Sequence, residues 1–96
     1  MPNLRMDHEL MADCARRLKE QGEAFESAIG QMDNIIGELE ANWEGAAGNQ
    51  YIEQYTNYKP DLIRTKDNIN ALGAQVQSAS DIMREADDRI AQQISG

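Results

Sequence analysis

Few residues in this chain could do chemistry, and their spacing rules most of it out. Its single histidine, His8, and single cysteine, Cys14, stand six positions apart. On a helix that separation points them to different sides, so they form no nucleophile–base pair. A lone cysteine permits no intramolecular disulfide and reads as a small apolar residue on a helix face. The acids Asp81, Glu85, Asp87 and Asp88 lack the spaced oxygen ligands and central glycine of a calcium loop, and read as a solvated helix surface. There is no glycine-rich phosphate loop, no Cys/His metal spacing and no nucleophile elbow. The sequence therefore predicts no enzymatic activity, no metal, no cofactor and no small-molecule substrate.

The charge balance narrows the partners. Seventeen acidic and nine basic residues give a net charge of −8, whereas a nucleic-acid binder needs a basic patch to neutralise phosphates. An anionic membrane surface is disfavoured for the same reason. Met1 to Leu10 contains Arg5, Asp7, His8 and Glu9 and has no apolar core or small-residue cleavage site, so no cleavable secretory leader is expected. The longest uncharged run, Asn68 to Ser80, is too short and too polar to span a bilayer.

The dominant pattern is helical. Met11, Leu18, Phe25, Met32 and Leu39 recur every seven residues, and so do Tyr55, Leu62, Ile69, Val76, Met83 and Ile90. Ladders of this length predict two amphipathic helices with coiled-coil-like packing. Neighbouring apolar residues, among them Ile29, Ile36, Ile52, Leu72 and Ile82, make each stripe wider than a single seam needs. Asp7 is the expected N-cap of the first helix, with Met6 stapled onto Met11. Asp13 with Arg17 and Glu85 with Arg89 are expected ion pairs at the helical i,i+4 spacing. Gly22, Gly30 and Gly37 either permit close helix packing or sit on the solvent side. Pro60 removes a backbone donor and disfavours helical geometry at Lys59, which predicts a kink or short break near Asn57 to Pro60. Because the heptad phase carries from Tyr55 to Leu62, a bend is favoured over a loop.

Between the ladders lies Trp43-Glu44-Gly45, near the middle of 96 residues and holding the only tryptophan. The expected turn runs from Trp43 to Gly48, with the second helix starting just after Gly45. A glycine there can take the left-handed conformation that ends a helix cheaply. The fold expected is all-α, one domain over residues 1–96: an antiparallel helical hairpin. Two helices touching along one seam leave the rest of each stripe wet. A second hairpin completing an elongated four-helix bundle supplies the remedy. Met11, Leu18, Phe25, Met32, Ile36, Leu39, Leu62, Ile69, Val76 and Met83 would form the shared core of hairpin and dimer.

A central W-x-G in an acidic helical hairpin of this length resembles the WXG family, the early-secreted-antigen type of small leaderless proteins exported by type VII secretion systems. The resemblance covers nearly the whole chain and centres on Glu40-Ala41-Asn42-Trp43-Glu44-Gly45. It implies a virulence- or competition-associated protein exported from the cytoplasm as a folded dimer without a cleavable signal peptide, with Trp43 and Gly45 carrying the motif. The partners it implies are a second copy or another WXG-like protein, the type VII ATPase and membrane apparatus, and a larger secreted toxin. The alternative is an intracellular adaptor or targeting chaperone that binds the helical N-terminal region of such a toxin. Many members carry a C-terminal Tyr-x-x-x-Asp/Glu export signal. Here the corresponding spacing is Met83 to Asp87, with methionine where tyrosine is expected, and Tyr51, Tyr55 and Tyr58 lie early in the second helix instead.

Overall fold

The computed structural model describes residues 7–43 and 45–95. Helix α1 spans His8–Asn42 and helix α2 spans Ala46–Ser95, with no strand among the described residues. Asp7 caps α1 as expected: its carboxylate accepts from the Glu9 amide at 2.9 Å and, more weakly, from that of Leu10 at 3.4 Å. Its carbonyl takes the first helical bond, from the Met11 amide at 3.0 Å. The staple proposed for Met6 lies outside the described residues.

The chain divides into two compact units, each built from one segment of α1 and one of α2. The first pairs the start of α1, to Glu20, with α2 from Ile69 onward. There Ser80, almost fully buried, donates its hydroxyl to the His8 carbonyl at 2.7 Å. One further seam contact is at Gly73. A Cβ built there would lie 3.4 Å from Leu18 Cβ and 3.5 Å from the Ala15 carbonyl oxygen. Glycine thus brings the α1 backbone to the surface of α2, and Ala15, 4% exposed, is buried on the α1 side. As residue numbers rise along α1 they fall along α2, so the segments are antiparallel.

The second unit, Gln21–Asn68, holds the turn. Its best-buried side chain is Ile29, at 6% exposure, and Gly22 is buried one heptad earlier. Gly30 and Gly37 face open space, with nothing within 4 Å of a Cβ at either. The two roles open to these glycines are therefore divided: Gly22 packs, while Gly30 and Gly37 are solvent-side.

The large ladder residues are less buried than the small ones beside them. Met11, Leu18, Phe25, Met32, Ile36 and Leu39 on α1 are all half-buried, as are Leu62, Ile69, Val76 and Met83 on α2. Leu10, Leu72, Ile82, Ile90 and Ile94 are exposed outright.

The segment around Pro60 is continuous helix from Ala46 to Ser95, so of the kink or short break expected near Asn57 to Pro60 the break is absent. The lost donor leaves the Thr56 carbonyl without its helical partner, but the helical turns on either side hold. Also, the ion pair in the last part of α2 is Arg84 with Asp81, at 3.7 Å, rather than Glu85 with Arg89. Asp13 does pair with Arg17, at 3.0 Å, and also with Arg16. These pairs are solvent-exposed and contribute little to stability.

Candidate functional site

At the end of α1 the last helical bond runs from the Trp43 amide to the Leu39 carbonyl, at 2.9 Å. The Asn42 side-chain amide donates to the Glu38 carbonyl at 2.7 Å, satisfying an acceptor that the helix end would leave open. Gly45 has φ +117°, the only positive φ among the described residues. An L-residue with a side chain is strained there. The Gly45 carbonyl then accepts from the Asn49 amide at 3.2 Å, so this glycine is the entry cap of α2. Helix α2 begins at Ala46, and Gly48 belongs to its first turn rather than to the connection.

Gly48 nevertheless shapes the site. It is buried, and a Cβ on it would lie 2.8 Å from Trp43 Cγ and 3.1 Å from both Cδ1 and Cδ2. The indole rests on bare backbone that only glycine provides. Tyr51, one turn further on, stands against the same ring, with centroids 5.5 Å apart and planes inclined by 33°. Trp43 is held on one side and remains 39% exposed on the other. A large aromatic fixed yet exposed is a ready recognition surface, because little side-chain entropy is lost when something covers it.

A polar clamp links the helices within the same unit. Asp33 accepts from the Tyr55 hydroxyl at 2.6 Å and from Lys59 Nζ at 3.0 Å. The Tyr55 hydroxyl and then the Lys59 ammonium hold the Asp33 carboxyl below its ordinary range. The same bond, with some desolvation, pushes Tyr55 up to about 12. Tyr55 Oη and Lys59 Nζ thus grip Asp33 from the turn of α2 just before Pro60. Tyr55 stands in the heptad ladder of α2, but Asp33 is not marked by spacing, since it reads as one of many surface acids. The signal was Lys59, a lysine falling on the buried side of α2.

The remaining sequence-predicted site residues lie in the other unit. Met83 is half-buried and Asp87 exposed, one turn apart on α2. Cys14 is half-buried, with an Arg17 guanidinium nitrogen 3.3 Å from its sulfur. Among the described residues no group of three His, Cys, Asp or Glu side chains is placed to hold a metal ion. No helix among them is long and apolar enough to cross a membrane.

Comparison with known proteins gives a consistent result. The profile of WXG100, "proteins of 100 residues with WXG", matches residues 3–88. Protein YukE of Bacillus subtilis (strain 168) is 24% identical over 93 residues, covering 97% of this chain and 96% of its own. Among solved structures, Geobacillus thermodenitrificans EsxA, crystal form I, superposes with a TM-score of 0.88 at 27% identity. That alignment covers 94% of this chain and all of the other.

Proposed function

From the premise that this chain belongs to the WXG100 family, we propose that it is a small type VII secretion substrate, exported from the cytoplasm as a folded helical dimer. Its work is binding, not catalysis. The observation that carries this reading is Trp43: rigidly seated at the turn, yet with more than a third of its surface exposed. A tryptophan that served the core alone would be covered.

The dimer is supported by what one chain leaves open. Among the described residues no side chain is fully enclosed, and the only buried hydrophobic residues are Ala15 and Ile29. Phe25, Met32, Ile36 and Ile69, half-buried in the single chain, are the side chains a second hairpin would enclose. In this reading Met83 and Asp87 mark a degenerate export signal, and a co-exported partner supplies the missing tyrosine.

Two measurements on Trp43→Ala test the function. Thermal unfolding of the purified variant is expected to stay close to wild type, while its amount in culture supernatant relative to lysate falls. A stable variant exported normally overturns the role given to the motif. Wild-type protein that never leaves the cell, and is recovered bound to a larger secreted toxin, establishes the adaptor role instead. Sedimentation of the purified chain at micromolar concentration is expected to show a dimer, or concentration-dependent folding if the natural partner is a different protein.

A further inference from the structure

The net charge of this protein is not spread along it. Between Glu20 and Tyr58 stand Glu20, Glu23, Glu26, Asp33, Glu38, Glu40, Glu44 and Glu53, with no lysine or arginine. The rest of the chain holds nine acids against nine bases. The whole net charge of −8 therefore belongs to the stretch that contains the turn. Glu20 and Asp33 are paired with Arg16 and Lys59, which flank the stretch, but Glu38, Glu40 and Glu53 are exposed and have no cation within 4 Å among the described residues.

The same stretch carries an exposed apolar surface. Ile35 is 60% exposed and Tyr58 61%, and Tyr51, whose ring stands against Trp43, is 52% exposed. Ile35 stands three residues beyond the seam residue Met32, and Tyr51 and Tyr58 stand three beyond Gly48 and Tyr55. In two antiparallel helices an equal offset from the seam puts side chains on the same side of the pair. Within this unit, Ile35, Tyr51 and Tyr58 thus share one face. Glu38 follows Ile35 at helical spacing on that face, while Glu40 and Glu53 lie on others and act through their field.

We propose that this aromatic face docks a protein surface bearing clustered arginine or lysine side chains. The inference rests on Trp43 being a recognition residue and adds the chemistry of what it recognises. Guanidinium groups stack on exposed indole and phenol faces, and an uncompensated negative field draws a basic partner in and raises its association rate. The same field opposes anionic lipid and nucleic acid. It also opposes the equivalent face of a second copy, which would set one uncompensated acidic stretch against another. The occupant is a basic protein partner.

The test uses full-length protein and an arginine-rich amphipathic helical peptide as probe, read by the emission of Trp43, the only tryptophan. Saturable binding that moves Trp43 emission and weakens on the order of tenfold at high salt is expected. The triple variant E38Q/E40Q/E53Q should weaken binding severalfold or more. The control D81N/D87N/D88N, which removes the same charge elsewhere, should leave it nearly unchanged. Equal losses in the two triples would mean attraction by net charge alone and would overturn the proposal. Binding without change at Trp43 overturns it too, as does a dimer of the free protein in which Trp43 and Tyr51 are already shielded. Normal export of E38Q/E40Q/E53Q, beside an export defect in Trp43→Ala, would remove the basic partner while leaving the secretion role standing.

Discussion

Gly48 lies directly beneath the indole of Trp43, so the motif tryptophan is positioned by a glycine five residues downstream as well as by the one in its own tripeptide. A methyl group at position 48 would meet Cγ, the root of the ring, which cannot swing aside without a change of rotamer. Gly48→Ala gains helix propensity, about 1 kcal/mol at most, against an overpacking cost of about 1–3 kcal/mol. The expected result is a small net loss in stability with a red shift of Trp43 emission as the ring leaves its seat. Unchanged emission would show that the indole is not held there.

The Asp33 clamp predicts a dependence on acid. Its carboxyl is held below the ordinary 3.8, so its contribution is complete above that value and is lost as pH falls through the lowered one. Asp33→Asn is expected to lower stability at neutral pH and to flatten the acid limb of the stability curve below about pH 4. For Tyr55, raised to about 12, the loss runs the other way, as pH climbs from 10 toward 12. In Asp33→Asn the Tyr55 phenolate absorbance should appear at lower pH than in the wild type. A titration curve identical in the two proteins would dissolve the clamp.

Pro60 is exposed within unbroken helix. Restoring the donor to the Thr56 carbonyl recovers part of the ~3 kcal/mol that proline costs a helix interior, less the ~0.4–1 kcal/mol by which proline restricts the unfolded chain. Pro60→Ala is expected to stabilise by about 2 kcal/mol, measured by urea unfolding. It should also slow amide exchange around Thr56 to Arg64. A destabilised variant would mean that α2 is shaped around its proline.

Gly30→Ala and Gly37→Ala each enter open space in the middle of α1 and should each stabilise by about 0.5–1 kcal/mol. If either weakens association in sedimentation while raising monomer helicity, that glycine lies against the second hairpin.

How far the sequence could be read depended on whether a feature was local. Asp7, Gly45 and the heptad ladders announce themselves within one or two turns of helix, and the caps and helix limits follow from them. The seat under Trp43 and the clamp on Asp33 depend on which residues of α2 return to face α1, information that no single-helix pattern contains. The ladders also misplace the deepest burial. Ala15, Gly22, Gly73 and Ser80 are enclosed because small side chains let the backbones approach, whereas Phe25 and Leu62, too large to fit between them, stay half-covered. At Pro60 the local rule for helix breaking pointed to a break, while the heptad phase carried from Tyr55 to Leu62 pointed to the continuous helix that is found.

The distribution of basic residues has a consequence for proteolysis. A protease that cuts after lysine or arginine finds nothing to cut between Lys19 and Lys59, and the bond after Lys59 leads into proline, which such enzymes cleave poorly. The first susceptible bond beyond it follows Arg64. The turn, the seated tryptophan and the Asp33 clamp therefore travel together on one fragment, Glu20 to Arg64. The part of this protein proposed for recognition is also the part that trypsin-like digestion leaves in one piece, even when the chain is unfolded.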